Sequence, residues 1–256
     1  MRDATGSTAT TSERADPDER FRSFLLAVGL ALTAYVVGNL VLAAVAAVLE
    51  AAGVPVLDDP GLLVLLGTFA IQGVGYVGVV AVFLERTDRW HLPRVRRPTL
   101  RDGALVVGGF VVLLVAQYGI ALAVGALGVD LATSDIVETG LGDPRLLLVL
   151  AGLSVLVVGP AEELLYRGVI QTSLTGTYGT VGAVVLTSAV FAPIHVFGLT
   201  GSTPAVLATL VTIFSLSLVL GALYERSDTL VVPALVHGVY NATQFLVAYA
   251  STTGLV

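Results

Sequence analysis

The sequence of 256 residues contains no cysteine and no lysine, and only 12% of its residues are charged. The absence of cysteine excludes disulfides, thiolate metal sites and cysteine nucleophiles. An average globular protein is about one-quarter charged, so the shortage of charge excludes disordered and ordinary soluble proteins. All 13 basic residues are arginines and stand against 19 acidic residues. This net negative balance argues against nucleic acid as a partner.

Hydrophobic residues are plentiful, at 55% of the chain, and the mean hydropathy is +0.91. A helix that crosses a membrane needs about 20 apolar residues. Uncharged runs of this length cover 23–49, 61–84 and 103–129, another begins at 146, two more share 168–224 with a break near 198–204, and the last is 229–250. The sequence therefore predicts an all-α, polytopic membrane bundle of about seven helices. An eighth would arise if Pro160 or Pro193 divided a run.

The distribution of arginine predicts the orientation of this bundle in the cell membrane. Arginines precede the first run and crowd the connection 85–102, whereas the neighbouring connections are acidic. Cytoplasmic flanks carry the excess of positive charge, so we predict a cytoplasmic N-terminus, with every arginine except Arg145 on the cytoplasmic side. Residues 1–20 are polar and are predicted to be a disordered cytoplasmic tail. Residues 21–144 and 145–256 are predicted to be N-terminal spanning helices and a C-terminal core.

Three charged residues follow an apolar run inside this core. An ionisable side chain at membrane depth costs roughly 3 kcal/mol, so each is a functional candidate. Glu163 and Arg167 are spaced i, i+4 on a helix and are predicted to form an ion pair on one face. Glu162 projects about 100° away from Glu163. We therefore expect Glu162 to be unpaired and free for general acid–base catalysis.

Two histidines and an asparagine complete the polar set. His195 lies four residues after Phe191, and His237 and Asn241 repeat this spacing on the last helix. Imidazoles can move protons, and a carboxamide can donate hydrogen bonds to an oxyanion. Each element alone also has a structural interpretation, as an ion pair, as a partner for a backbone carbonyl, or as an interhelical hydrogen bond. Together they predict a hydrolase.

The order Glu162-Glu163-Leu-Leu-Tyr-Arg167, then Phe191-x-x-x-His195, then His237-x-x-x-Asn241 resembles the CPBP family of intramembrane proteases. This family includes the type II CAAX prenyl endopeptidases and bacteriocin-immunity proteins. The resemblance implies that 145–256 is a catalytic core in which Glu162 and His195 activate water. It implies further that Glu163 and Arg167 hold the geometry and that His237 and Asn241 stabilise the oxyanion.

The resemblance does not decide whether the site uses a metal ion. Zinc held by Glu162, His195 and His237 with an open position for water is one prediction. A metal-free, glutamate-dependent protease is the other.

Three functions follow as hypotheses. The first is an endopeptidase that cleaves a membrane-associated protein or peptide near the cytoplasmic membrane surface. The second is a non-catalytic immunity or scaffold protein of the same family. The third is a proton-coupled transporter that uses the buried glutamate and histidines as a relay.

Overall fold

The computed structural model describes residues 16–255 and is 83% helical. Its helices are α1 (Pro17–Ala51), α2 (Pro60–Thr87), α3 (Leu100–Ala126), the short α4 (Asp135–Gly142), α5 (144–178), α6 (180–194), α7 (Thr203–Ser227) and α8 (Val231–Thr252). Two short strands, β1 (Thr133–Ser134) and β2 (Leu199–Thr200), form an antiparallel pair in which Thr133 faces Thr200. The predicted all-α, polytopic bundle is confirmed.

Helices α5 and α6 form a hairpin. They belong to one helical segment, Pro144–Gly198, of 55 residues, but its backbone is broken at Gly179, where φ is 69° and ψ is 169°. A left-handed φ suits glycine because it has no Cβ. The rings of Tyr166 and Phe191 meet across the hairpin at 4.8 Å. The six long apolar segments among residues 16–255 therefore form seven long helices, and neither Pro160 nor Pro193 divides a helix to make an eighth.

Polar caps determine where the spanning helices begin. The side chain of Asp16 accepts from the backbone of Asp18 at the start of α1, and Asp59 does the same for α2. Thr99 begins α3 with a capping box, which satisfies backbone donors that have no partner in the helix. The prediction that 1–20 is a disordered tail is wrong for residues 17–20, which form the first turn of α1. Residues 1–15 of that tail lie outside the described residues.

The seven spanning helices of the described chain pack in a ring, in the order α1, α2, α5, α8, α3, α7, α6 and back to α1. Helix α5 packs along much of α8, and two glycines make this approach possible. A Cβ at Gly238 would lie 2.7 Å from the carbonyl oxygen of Ser154, and one at Gly159 would lie 2.7 Å from that of Ala234. Small residues allow membrane helices to approach closely. The two helices that carry the glutamates and His237 are therefore held backbone to backbone.

The arginine-rich connection closes one end of the ring. Arg94 binds Glu225 at 3.0 Å and Asp228 at 2.9 Å, and its backbone oxygen accepts from the amide of Leu230 at 2.8 Å. Arg96 donates to Asp102 at 2.7 Å and to the backbone oxygen of Ser227. We use the name arginine clasp for Arg94 and Arg96 together with the turn 228–230 to which they bind. The bond to Asp102 raises the pKa of Arg96, so its guanidinium remains charged.

We expect Gly238→Ala to destabilise the protein, because the new methyl group would meet the backbone of α5. Overpacking of a tight contact costs about 1–3 kcal/mol. Gly152→Ala, on the same pair of helices, is the matched control because nothing lies within 4 Å of its Cβ position. Thermal unfolding in detergent should show a lower midpoint for Gly238→Ala only. Equal midpoints for the two variants would contradict the close packing.

Candidate active site

The centre of the site is a buried ion pair. Glu163 and Arg167 are both fully buried, and Arg167 Nη1 lies 3.0 Å from Glu163 Oε1. Arg167 Nη2 donates to the backbone oxygen and to the hydroxyl of Ser217, at 3.0 and 2.8 Å. The i, i+4 contact expected from the sequence is thus present. Because Ser217 belongs to α7, the pair also connects α5 to α7.

His237 joins this pair from α8. Its Nδ1 lies 2.8 Å from Glu163 Oε1, and its Nε2 lies 3.8 Å from Glu162 Oε2. A carboxylate only accepts hydrogen bonds, so Nδ1 is protonated and donates a hydrogen bond to Glu163. If Nε2 is protonated too, the charges of Glu162, Glu163, Arg167 and His237 sum to zero. One carboxylate, Glu163, therefore connects three helices.

Glu162 has a hydrogen-bond partner, contrary to the expectation that its side chain is unpaired. Its Oε1 accepts a hydrogen bond from Gln72 Nε2 at 3.1 Å. Gln72 belongs to α2, outside the part of the chain that carried the resemblance, and it was not among the predicted site residues. The pattern that could have revealed it is a polar stripe in an apolar helix, with Thr68, Gln72 and Tyr76 spaced four residues apart.

His195 ends α6 beside the same site. Its Nδ1 lies 3.1 Å from the backbone oxygen of Phe191, and since a carbonyl only accepts, Nδ1 carries the proton. This contact matches the structural role considered for His195, but it leaves Nε2 for other chemistry. The ring of Phe191 lies 4.7 Å from that of His195 and 6.0 Å from that of His237. Phe191 is therefore the wall between the two imidazoles.

A cavity of about 540 Å³ brings the polar side chains together. Glu162, His195, His237, Asn241 and Gln72 line it, among mostly apolar neighbours. The buried pair of Glu163 and Arg167 lies behind this wall. The six predicted site residues thus divide into four that face the cavity and two that support them.

The cavity does not reach the arginine clasp. Its lining runs from Leu216 and Leu220 in the middle and clasp-side half of α7 to the opposite end of the bundle, with Leu63 at the start of α2, Val137 in α4 and Phe245 late in α8. In the predicted orientation this opposite end is the non-cytoplasmic half of the membrane. Cleavage near the cytoplasmic surface and the predicted orientation are thus two predictions that point to opposite ends of the cavity, and both stay predictions.

Three stretches of π-helix lie in the two helices that hold the glutamates and Gln72. They are Phe69–Gly78 in α2, and Ser154–Val158 and Leu164–Gln171 in α5. A π-helical turn takes in an extra residue and rotates the following side chains, and such turns are frequent at functional sites. In α5 the five residues Gly159–Glu163, with both glutamates, lie between two of them.

Within residues 16–255, no three His, Asp or Glu side chains are arranged so that they could hold a metal ion. The predicted zinc ligands Glu162, His195 and His237 all line the cavity, but they do not form a ligand cluster. His237 and Glu162 are 3.8 Å apart, and Glu162 is also engaged by Gln72. The residues as arranged do not fit a zinc ion, and zinc remains a prediction.

Comparison with known families agrees with the fold. Residues 144–243 match the family described as Type II CAAX prenyl endopeptidase Rce1-like. The match begins at the first residue of α5 and ends in α8, so it contains all six predicted site residues. The similarity to this family covers the part of the chain from α5 to α8. The match confirms the resemblance to the CPBP family and supports a CAAX-protease-like endopeptidase in the membrane. No curated protein and no solved structure gives a significant match.

We expect Arg167→Met to lose folded protein, because it leaves Glu163 as a buried charge with only His237 for a partner. Breaking a buried ion pair costs about 3–5 kcal/mol. The double variant Glu163→Gln with Arg167→Met removes both charges and should recover part of that loss. Arg145→Met is the control, because Arg145 forms no ion pair with another residue of the described range 16–255. Yield and melting temperature in detergent measure the effect, and a double variant less stable than Arg167→Met would contradict it.

Proposed function

We propose that the protein is an intramembrane endopeptidase in which Glu162 activates water to hydrolyse a peptide bond of a membrane-associated protein or peptide. One observation supports this most directly: Glu162, His195, His237 and Asn241 line a single cavity inside an apolar bundle. Charged and polar groups are costly at this depth, and four that converge on one space have a shared task.

Glu162 and His195 act on the water. The Glu162 carboxylate takes one proton from the water, and the resulting hydroxide oxygen forms a bond to the carbonyl carbon of the peptide. His195 presents its unprotonated Nε2 and accepts a hydrogen bond from the same water. Glu162 then returns its proton to the amide nitrogen as the bond between carbon and nitrogen breaks. The products are a carboxyl terminus and an amino terminus, so atoms and charges balance.

His237 and Asn241 stabilise the negative charge that develops on the carbonyl oxygen. They are one helical turn apart on α8 and both line the cavity. The Nε2 proton of His237 and the amide protons of Asn241 can point to one oxygen. Glu163 holds the other nitrogen of His237 at 2.8 Å, which fixes the orientation of the ring. Glu163 and Arg167 are thus positioning residues that do not touch the substrate.

The proposed mechanism uses only side chains of this chain. The residues as arranged do not fit zinc, so we expect cleavage to persist after treatment with a chelator; loss of cleavage would show that a metal ion is required.

Cleavage of membrane-anchored, quenched fluorescent peptides by purified protein tests the proposal. General acid–base catalysis contributes about 10²–10⁴-fold, so Glu162→Gln should lower the rate by at least that lower factor, and His195→Ala should lower it as well. Glu85→Gln, at the exposed end of α2, is the matched control and should cleave like the wild type. Undiminished cleavage by Glu162→Gln would refute the mechanism. Failure of the wild type on all peptides would favour the non-catalytic binding protein.

We expect Gln72→Leu to lower the cleavage rate while the protein still folds. The substitution removes the donor that orients the Glu162 carboxylate. A hydrogen bond to a charged group contributes about 1.5–3 kcal/mol, which corresponds to roughly a ten- to hundredfold loss of rate. Gln244→Leu changes the same chemical group on another wall of the cavity and is the control. Equal rates for the two variants would remove Gln72 from the site.

A further inference from the structure

The two ends of the ring differ in how they are closed. At the end with the arginine clasp, Leu92, Thr229 and Leu230 are buried. The guanidinium of Arg94 lies 4.0 Å from the centre of the Tyr224 ring, and Tyr224 itself is fully buried. Below this layer, Gln171 donates to Glu225 at 2.6 Å and to the backbone oxygen of Gly221 at 3.2 Å. Two layers of bonded side chains thus separate the site from this end.

At the opposite end the connection between α3 and α5 is held by the β1–β2 pair and by a hydrogen bond from Thr200 to Asp135 at 2.8 Å, and no further layer of the described residues separates it from the cavity. The cavity reaches Ser134, Ile136 and Val137, which belong to the connection between α3 and α5. Ile136 is 41% exposed although it lines the cavity. This connection is held beside the site by the pairing of β1 with β2, which directly follows His195 and Gly198. The cavity therefore extends to this end of the bundle, where one of its lining residues is in contact with solvent.

The chemistry of the wall limits what can enter. Leucine, isoleucine, valine and phenylalanine supply most of the lining, and the ionisable groups are confined to the site itself. An apolar wall binds an apolar segment because both lose contact with water. A cavity of about 540 Å³ has room for a few side chains of such a segment, not for a folded domain.

We propose that the substrate is an apolar peptide segment that enters from the end of the bundle with α4 and the β1–β2 pair, away from the arginine clasp. This rests on the proposed function. The positive-inside prediction makes that end the non-cytoplasmic face, so the scissile bond is presented from the outer side of the membrane. The connection 127–143 is then the first part of the protein that the substrate meets.

Cysteine accessibility tests the entry side without any requirement for catalysis. Since the chain has no cysteine, each variant carries a single thiol. Ile213→Cys places it on the cavity wall. Leu57→Cys marks the open end, at a residue that is 68% exposed, and Arg97→Cys marks the clasp end. Leu174→Cys, fully buried away from the cavity, reports on unfolding. A charged, membrane-impermeant methanethiosulfonate is added to either side of sealed vesicles with oriented protein.

We expect Ile213→Cys to react from the side that labels Leu57→Cys, roughly tenfold faster than from the other side, since labelling follows exposure. Reaction from the Arg97 side, or from neither side while both markers react, overturns the proposal. In Glu162→Gln, an uncleaved apolar peptide should protect Ile213→Cys, and absence of protection overturns the choice of occupant. Labelling needs no hydrolysis. If the protein cleaves peptides but Ile213→Cys is labelled from the Arg97 side, the entry side is refuted and the proposed function stands.

Discussion

The buried charge of Glu163 is the constraint on which the rest of the bundle depends. A fully buried carboxylate is stable only if it is paired and hydrogen-bonded, and its partners come from different elements: Arg167 one turn along α5 and His237 on α8. Arg167 in turn needs acceptors, and it finds the backbone oxygen and the hydroxyl of Ser217 on α7. Ser217 passes the network to Ser188 on α6. Four helices are thus fixed by the need to satisfy two charges.

This network explains why the site tolerates little relative movement. The α5–α8 contact is close because Gly159 and Gly238 each face backbone atoms of the other helix, which keeps His237 within 2.8 Å of Glu163. Glu162 is the next residue along α5, so its direction is fixed by the same contact. The network does not fix the rotation of the Glu162 carboxylate. Gln72 on α2 fixes this rotation by donating a hydrogen bond to Glu162. The N-terminal helices therefore contribute to the site as well as closing the ring.

The sequence predicts those features that depend on local signals. Apolar run lengths define the passes, and the spacing of Glu163 and Arg167 predicts their contact, because both are properties of a few consecutive turns. By contrast, the partner of Glu162 comes from a helix 90 residues earlier, and the π-helical turns around it shift the faces that a regular 3.6-residue period assigns. No local pattern specifies that the polar stripe of α2 with Gln72 will meet Glu162 on α5.

The arginine clasp shows how an apparently generic signal can determine the site. Arginines beside a membrane helix are usually explained as positive-inside anchors, and a helix that began at the membrane surface near Thr229 would leave His237 shallow. In the structure Thr229 and Leu230 are buried, because the connection with Arg94 and Arg96 covers them and bonds to the hydroxyl of Thr229 and to the backbone amide of Leu230. Helix α8 therefore begins beneath the surface of the protein. The arginines that predict the orientation also set the depth at which His237 reaches Glu163.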